Sequence, residues 1–271
     1  MTDPRELERL AIDAAARAGD HLRDHRPRRV EVVATKSSDV DIVTAMDRAA
    51  EEMIVEYLLA ARPDDGVFGE EGNSRATRSG VTWVIDPIDG TVNYLYALDD
   101  YGVSIAAVEG DPDPRTWTPL AGCVHNPPRR LSYHAAVGHG AFADDRPLRG
   151  ATSTGLAGAL VATGFGYRAE RRKRQAEIVT ALLGEVRDIR RLGAASLDLC
   201  LVGDGRLDAY YERGLSPWDH AAGALIAREA GALVTGADGG PADAEMTVAA
   251  GVPLHGELLA RLAELDAFSG Y

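Results

Sequence analysis

The chain lacks the cysteine patterns of a metal or redox site and has relatively few basic side chains. Cys123 and Cys200 stand alone, without a C-x-x-C spacing, so we expect both to be buried, reduced thiols. Lys and Arg number 29 against 42 Asp and Glu, which gives a formal net charge of −13. That charge argues against a surface for nucleic acid, and it would repel an anionic substrate unless bound cations reverse the local field.

Long apolar segments are also absent from the sequence. No apolar run is long enough to span a membrane, and the N-terminus has no apolar core flanked by basic residues. We therefore expect no membrane partner and a cytoplasmic location. The chain of 271 residues can bury a large core. A run rich in Gly, Ala, Ser and Thr at 150–158 predicts a seam between two halves, 1–150 and 151–271, that pack as one compact unit.

The most informative segment, residues 83–91, has the sequence WVIDPIDGT. The apolar residues Val81–Ile85 predict a buried strand, which Pro87 and the glycine after it are expected to end. Asp86 and Asp89 should then lie where the strand opens into a loop. In that position the two carboxylates would be rigidly held yet exposed.

Two further motifs add carboxylates to this pair. Glu70 and Glu71 lie in a loop bounded by glycines, and Asp219 follows Pro-Trp at the expected start of a helix. Carboxylates brought close together repel one another unless they are protonated or neutralised, and an oxygen-only ligand set suits Mg²⁺, Mn²⁺ or Ca²⁺. Zinc is disfavoured because the motifs contain no His or Cys, although His220 beside Asp219 leaves it open. Ordinary turn chemistry is the alternative for a single motif taken alone.

Four segments together resemble the inositol monophosphatase family of magnesium-dependent, lithium-sensitive phosphatases. They are KSSDVDIVTAMD at 36–47, GEEG at 69–72, DPIDGT at 86–91, and the pair at 218–219 ahead of an alanine-rich helix. The resemblance runs nearly end to end and keeps the family's order. It implies an α/β fold (α+β mixed), a five-layer αβαβα sandwich of the sugar-phosphatase type, and a homodimer.

The resemblance also implies a ligand set for two or three Mg²⁺ ions. Glu70, Asp86 and the backbone carbonyl of Ile88 would hold one ion, while Asp86, Asp89 and Asp219 would hold a second, with Asp86 as the bridge. Mn²⁺ could substitute for Mg²⁺, and Ca²⁺ and Li⁺ would inhibit. Taken alone, Asp219 could instead be an acid placed favourably at a helix N-terminus.

The residues after the two aspartates can contact phosphate. If a short helix begins after Gly90, backbone N–H groups at Gly90 and Thr91 would cradle the phosphate. The resemblance implies that the Thr91 hydroxyl orients the attacking water, that Asp47 accepts a hydrogen bond from Thr91, and that Glu70 helps to activate the same water. Asp47 has a competing structural role, because Thr44 and Asp47 have the spacing of a capping box.

The second half of the chain is expected to supply residues of the substrate pocket. By resemblance, Glu212 would accept hydrogen bonds from substrate hydroxyls, Asp89 would contact the substrate and Ala195 would line the pocket. Lys36 and Glu71 would lie just behind the metal ligands. A carboxylate that binds hydroxyls discourages a second phosphate, which favours a polyol monophosphate over a bisphosphate.

These inferences predict a magnesium-dependent phosphomonoesterase that hydrolyses myo-inositol 1-phosphate or a related sugar or polyol monophosphate by two-metal-assisted in-line attack of water. Histidinol phosphate, fructose 1,6-bisphosphate and 3′-phosphoadenosine 5′-phosphate are alternative substrates within the same superfamily. An alternative of another class is a non-catalytic binding partner in a transcription or RNA-processing assembly. The negative net charge of the chain does not favour direct binding to nucleic acid.

Apolar spacing and turn residues predict the order of helices and strands. Helices are predicted at 7–22, from Thr44 to about residue 58, at 175–183, at 195–202 and from Asp219 onward; further strands are predicted at 30–34, 101–108, 120–125, 159–163, 186–192, 207–211 and 232–235. The basic run at 171–174 is interpreted as a solvated turn of helix, with a substrate or interface contact as the alternative. Strands separated by helices favour a parallel or mixed sheet in the second half.

Overall fold

The structure is a computed structural model that describes residues 2–27, 31–35, 42–150 and 155–269. Its α-helices are α1 (Pro4–Asp24), α2 (Ala45–Ala61), α3 (Thr91–Tyr96), α4 (Ala169–Leu183), α5 (Ala195–Gly203), α6 (Pro217–Glu229) and α7 (Val252–Glu264). Its strands are β1 (Val32–Thr35), β2 (Ile42–Thr44), β3 (Gly66–Gly69), β4 (Ser74–Arg75), β5 (Val81–Asp89), β6 (Gly102–Glu109), β7 (Thr118–Asn126), β8 (Leu131–Ala136), β9 (Ala141–Ala143), β10 (Arg146–Pro147), β11 (Leu160–Thr163), β12 (Asp188–Arg190), β13 (Ala209–Glu212), β14 (Leu233–Thr235) and β15 (Thr247–Ala250).

The first two helices begin at side chains that satisfy free backbone N–H groups. Asp3 precedes α1 and accepts a hydrogen bond from the backbone N–H of Arg5 (3.0 Å). Thr44 precedes α2 and forms the predicted capping box with Asp47. Both helices confirm the sequence prediction. Lys36 lies outside the described residues, so its expected place near the site stays a prediction.

An eight-stranded sheet organises the first half of the chain. Its order is β10-β9-β8-β7-β6-β5-β3-β4, and all neighbouring pairs are antiparallel except β3 and β5. The strand β5 is buried along its whole length. Trp83 and Ile85 pack with α1 and α2 on one face, and Val84 packs with α5 and α6 on the other. The predicted buried strand is therefore confirmed.

The prediction that Pro87 ends this strand is wrong. The strand continues to Asp89, and its pairing with β6 shifts between Asp86, opposite Ser104, and Asp89, opposite Gly102. The extra residue makes a β-bulge, which accommodates a proline that has no N–H to donate. The bulge, not an open loop, presents the two carboxylates. Both are buried, with Asp86 2% and Asp89 8% exposed, because the bulge lies within the fold and not at its surface.

A five-stranded sheet organises the second half of the chain. Its order is β12-β11-β13-β15-β14; the first three strands run parallel, and β15 is antiparallel to both of its neighbours. This mixed sheet confirms the expectation drawn from strands separated by helices. Glu212 is the last residue of β13.

The helices and sheets stack in five layers. Helices α1 and α2 cover one face of the eight-stranded sheet, α5 and α6 lie between the two sheets, and α4 and α7 cover the far face of the five-stranded sheet. Buried side chains of α5 and α6 contact both sheets. The predicted αβαβα sandwich is confirmed. The boundary between the halves stays a prediction, since residues 151–154 lie outside the described ranges.

Several elements differ from the sequence prediction. Helix α4 begins at Ala169 and not at Gln175, because its first turns are polar and show no apolar periodicity. The strand expected at 186–192 spans only Asp188–Arg190. The sequence pattern did not predict β2, β3, β4, β8, β9, β10, β15 or α7. Within the described ranges, no helix is long and apolar enough to cross a membrane.

Candidate active site

A pocket of about 430 Å³ gathers most of the residues that the sequence singled out. The first half of the chain contributes Glu70, Asp86, Ile88, Asp89, Gly90 and Thr91, and the second half contributes Ala195, Glu212 and Asp219. Asp47 lies behind this lining, within hydrogen-bond distance of Thr91. Glu71 is not among the lining residues. Acidic side chains far apart in the sequence therefore meet in one pocket.

Hydrogen bonds fix the carboxylates of the bulge. Oδ1 of Asp86 accepts from the backbone N–H of Ile88 (3.0 Å). Oδ2 of Asp89 accepts from the backbone N–H and the hydroxyl of Ser196, at 2.7 and 2.5 Å. Because Ser196 lies in the first turn of α5, Asp89 links the eight-stranded sheet to the middle helical layer.

Burial and mutual repulsion raise the pKa values of these acids. Burial is the main reason why the pKa values of Asp86 and Asp219 lie well above their usual range, and the charge of Glu70 is the next. Burial also raises the pKa of Asp89 to about 6, although the hydrogen bonds from Ser196 oppose the shift. Such a set of oxygen donors fits a hard divalent cation, whose charge would offset both burial and repulsion.

Asp219 combines two of the roles weighed from the sequence. It is the third residue of α6 and completes a capping box in which its Oδ2 accepts from the backbone N–H of Ser216 (2.6 Å). The same carboxylate lines the pocket. A structural role at the helix N-terminus and a place among the pocket acids are thus compatible, because a carboxylate has two oxygens.

The pocket acids are not arranged as a complete metal-binding site. Among the described residues, no group of three or more His, Cys, Asp or Glu side chains is arranged to hold a metal ion by itself. The ligand assignments therefore stay predictions. His220, which left zinc open, is buried, its pKa is lowered by burial to about 4, and it does not line the pocket.

Asp47 is both a helix cap and a partner of Thr91. Its Oδ2 accepts from the backbone N–H (2.8 Å) and the hydroxyl (2.5 Å) of Thr44. Its Oδ1 lies 3.1 Å from the hydroxyl oxygen of Thr91, which is also 3.0 Å from the carbonyl oxygen of Ile88. A hydroxyl has one proton, so Thr91 donates to one of these oxygens at a time and keeps lone pairs for a third group.

Gly90 begins the short helix α3 in a conformation that other residues rarely adopt. Its φ is 90° and its ψ is 38°, in the left-handed region. A Cβ atom there would also lie only 3.0 Å from the carbonyl oxygen of Asp100 and 3.2 Å from that of Gly193. Both the dihedral angles and the space available therefore require glycine at this position.

Glu212 lies in the pocket on the side of the five-stranded sheet. Its Oε2 accepts a hydrogen bond from the hydroxyl of Tyr210 (2.7 Å). Burial raises its pKa to about 7, while the hydrogen bond from Tyr210 and the positive charge of Arg191 oppose the shift. Gly164 lies directly against this carboxylate, and a Cβ at that position would collide with it. The carboxylate is thus held in place from two sides.

Several pocket contacts were not predicted from the sequence. Ser196, Arg168 and Arg191 were not singled out, and Arg171 was considered only as an alternative to a solvated residue. Arg168 is the extended residue before α4, so helical spacing with Arg171 could not have predicted that both line the pocket. No local pattern could have linked Ser196 to Asp89, because their contact depends on how the layers stack.

Comparison with known proteins identifies the family. A profile described as the inositol monophosphatase family matches residues 3–267. The chain belongs to this family. The inositol-1-monophosphatase SuhB of Mycobacterium tuberculosis (strain ATCC 25618 / H37Rv) is 42% identical, over 96% of this chain and 94% of that protein. The Nus factor SuhB of Escherichia coli K12 is 38% identical, over 85% of each.

Solved structures agree with this assignment. The structure of Mycobacterium tuberculosis SuhB matches with a TM-score of 0.83 and 40% identity, covering 99% of this chain and 100% of that chain. The extragenic suppressor protein suhB of Bartonella henselae matches with a TM-score of 0.86 and 31% identity, covering 95% and 98%. The resemblance inferred from the motifs and the fold that it implied are both confirmed.

Proposed function

We propose that this chain is a magnesium-dependent phosphomonoesterase that hydrolyses myo-inositol 1-phosphate or a related polyol monophosphate. One observation carries the proposal: a single pocket holds the acids Glu70, Asp86, Asp89 and Asp219 beside a hydroxyl, that of Thr91, held by a buried carboxylate. Membership in the inositol monophosphatase family supports the reaction class.

The acids would hold the metal and the scissile phosphate at one end of the pocket. Glu70, Asp86 and the carbonyl of Ile88 would bind one Mg²⁺, and Asp86, Asp89 and Asp219 a second. When bound, Mg²⁺ stabilises negative charge on the phosphate and makes water easier to deprotonate. The oxygen-only donors suit Mg²⁺, with Mn²⁺ as a substitute.

The neighbouring side chains would position the attacking water. Thr44 fixes Asp47 through two hydrogen bonds, and Asp47 in turn fixes the hydroxyl of Thr91. When Thr91 donates its proton to Asp47, its oxygen can accept a hydrogen bond from the water and orient it for in-line attack at phosphorus. Glu70 then takes the proton that the water loses.

Glu212 would recognise the alcohol part of the substrate. The hydroxyl of Tyr210 engages Oε2, which leaves Oε1 to accept from a substrate hydroxyl. A carboxylate at this position repels a second phosphate placed beside it, which favours a polyol monophosphate. Ala195 lines the same pocket and adds no competing polar group.

The test is phosphate release from four esters, measured with Mg²⁺ and with a chelator. The panel contains myo-inositol 1-phosphate, histidinol phosphate, fructose 1,6-bisphosphate and 3′-phosphoadenosine 5′-phosphate. We expect a Mg²⁺-dependent preference for the inositol ester. A preference for another ester would keep the mechanism and change the substrate.

A pair of variants tests the role of the acids. Asp86→Asn changes little volume but removes the proposed bridging charge, and several kcal/mol of charge stabilisation correspond to a fall in kcat of at least about 100-fold. Asp111→Asn, in an exposed connection, is the matched control and should keep full activity. A fully active Asp86→Asn enzyme would refute the two-metal assignment.

A second candidate function is a binding role in a transcription assembly. It is favoured by the 38% identity to a protein named Nus factor SuhB in Escherichia coli K12. The two functions are separable, because binding by a docking surface does not require Asp86. If the folded chain releases phosphate from none of the four esters, the binding role becomes the favoured candidate function.

A further inference from the structure

A buried asparagine beside the pocket joins the two halves of the chain. Asn93 lies in α3, three residues after Gly90, and is 5% exposed. Its amide nitrogen lies 2.5 Å from the carbonyl oxygen of Asp100 and 2.8 Å from that of Leu192. Asp100 lies just before β6, whereas Leu192 lies between β12 and α5. The Asn93 bridge, formed by these two hydrogen bonds, thus connects the first half to a loop of the second.

The Asn93 bridge requires an amide and not a carboxylate. Both partners are backbone carbonyl oxygens, which only accept hydrogen bonds, so the nitrogen of the side chain must face them. The NH₂ group has two protons and can donate to both carbonyls at once. Asn93 itself does not line the pocket. Any effect that it has on a bound ligand must therefore act through the segments that it connects.

The loop that Asn93 holds lies directly against Gly90. A Cβ atom at Gly90 would lie 3.2 Å from the carbonyl oxygen of Gly193 and 3.3 Å from the Cβ of Ala194. Gly193 and Ala195 both line the pocket. The position of this loop therefore fixes how far the pocket wall supplied by the second half lies from Gly90.

The hydroxyl that would position the attacking water is held without the Asn93 bridge. The Thr91 hydroxyl oxygen lies 3.1 Å from Oδ1 of Asp47 and 3.0 Å from the carbonyl oxygen of Ile88, and both partners belong to the first half. Loss of the amide of Asn93 would therefore release the loop of the second half and leave these contacts in place.

We propose that Asn93 is a positioning residue that sets the spacing between the phosphate-binding segment and the pocket wall of the second half, and so favours esters whose alcohol part reaches that wall. This inference rests on the proposed function, since it places the scissile phosphate beside the acids and Thr91. A displacement of about 1 Å between reacting groups can slow a reaction by about 100-fold. Inorganic phosphate has no alcohol part, so its binding should not depend on this spacing.

Asn126 supplies a matched control. It is 2% exposed, and its amide nitrogen donates to the carbonyl oxygens of Asp99 (2.9 Å) and Tyr101 (3.2 Å), the two neighbours of Asp100. These contacts stay within the first half, and Asn126 does not line the main pocket. Asn93→Asp keeps the size of the side chain but turns oxygens toward the two carbonyls, and Asn93→Ala removes the amide and carries the test if the carboxylate prevents folding.

Two constants measured with Mg²⁺ test the proposal: kcat/KM for myo-inositol 1-phosphate and the inhibition constant of inorganic phosphate. We expect both Asn93 variants to lower kcat/KM by about 10-fold to 100-fold and to change the inhibition constant by less than about twofold. Asn126→Ala should change neither, although its urea midpoint should fall about as far as that of Asn93→Ala. The proposal is refuted if the Asn93 variants match this control, or if they weaken phosphate inhibition as much as they lower kcat/KM.

Hydrogen exchange without Mg²⁺ or ester separates this inference from the proposed function. The backbone amides of residues 192–196 should exchange at least about tenfold faster in both Asn93 variants than in wild type, because the loop loses a hydrogen bond that anchors it, and at the wild-type rate in Asn126→Ala. If wild type hydrolyses no ester but exchange rises only in the Asn93 variants, the reaction is wrong and the bridge still positions the wall. Unchanged exchange would overturn the bridge even if the chain is an active phosphatase.

Discussion

Glu51 offers the sharpest test of how the fold supports the acidic end of the pocket. This residue of α2 is fully buried, and its carboxylate lies beneath the loop that carries Glu70. Oε2 accepts from the backbone N–H of Glu71 (2.8 Å), and Oε1 accepts from the backbone N–H (3.0 Å) and side-chain amide (2.8 Å) of Asn73. Gly69 lies against the same carboxylate, where a Cβ would collide with it.

Removing this carboxylate should destabilise the protein by a predictable amount. Glu51→Ala leaves three donors without their acceptor, at about 1–3 kcal/mol for each one that stays buried. Because Glu71 and Asn73 are partly exposed and water can reach some of these donors, we expect a loss of about 3 kcal/mol. Glu51→Gln keeps the shape and one acceptor oxygen, so it should cost only about 1–2 kcal/mol.

Urea unfolding followed by tryptophan fluorescence measures this loss. Glu52→Ala, at an exposed neighbour on the same helix, is the matched control and should stay within about 0.5 kcal/mol of wild type. A loosened loop should also move Glu70, so the Mg²⁺ concentration for half-maximal activity should rise in Glu51→Ala. The reasoning is refuted if Glu51→Ala unfolds like the control and needs no more Mg²⁺ than wild type.

Three further predictions address the water, the substrate and a partly buried pair. Thr91→Val removes the proposed orienting hydroxyl and should lower kcat by about 100-fold or more, whereas Thr91→Ser should keep most of it; equal rates for both variants would refute this role. Because burial raises the pKa of Glu212 to about 7, its ionised fraction rises between pH 6 and 8, so KM for the inositol ester should fall by up to about tenfold. Glu212→Gln should flatten that pH profile, and an unchanged slope in the variant would assign it to another group. Burial lowers the pKa of His134, but its hydrogen bonds with Glu8 (2.7 Å) and with the backbone carbonyl of Asp144 (3.0 Å), together with the negative charges of these two acids, outweigh burial and leave the pKa above its usual value. The resulting stability is complete below about pH 6.5 and is lost as pH rises through the folded-state pKa, so Glu8→Gln should make the urea midpoint less sensitive to pH between 5.5 and 8.5; a variant as sensitive as wild type would contradict this.

The sequence predicted those parts of the site that are contiguous in the chain. The acids of the 86–91 segment lie at the end of a strand whose β-branched and aromatic residues mark it as buried, so their approximate position could be inferred before the fold was known. The capping box at Thr44 also needs only four consecutive residues. The residue at which β5 ends could not be predicted from the local sequence. The bulge that accommodates Pro87 depends on pairing with the neighbouring strand.

The remaining contacts depend on stacking between layers and carry no local signal. Ser196 meets Asp89 only because α5 packs beneath the eight-stranded sheet. Glu51 is one acid among several in α2, and the sequence gives no reason to expect a buried carboxylate at this position. Arg171 belongs to a basic run whose four members are all at least partly exposed, and only the fold shows that Arg171 lines the pocket.

For Asp47 and Asp219, a role in capping a helix is compatible with a role in the active site. Each is the third residue of a helix and uses one oxygen to close a capping box, with Thr44 and with Ser216. The cap fixes the side-chain rotamer, so the second oxygen is held in a defined direction; in Asp47 that oxygen meets Thr91. A helix cap therefore supplies the rigidity that an active-site acid needs, and the motif that predicts a helix start also predicts a well-positioned carboxylate. If the proposed function is right, replacing either aspartate with alanine should reduce stability by about 1 kcal/mol and activity by far more, because one side chain would serve both.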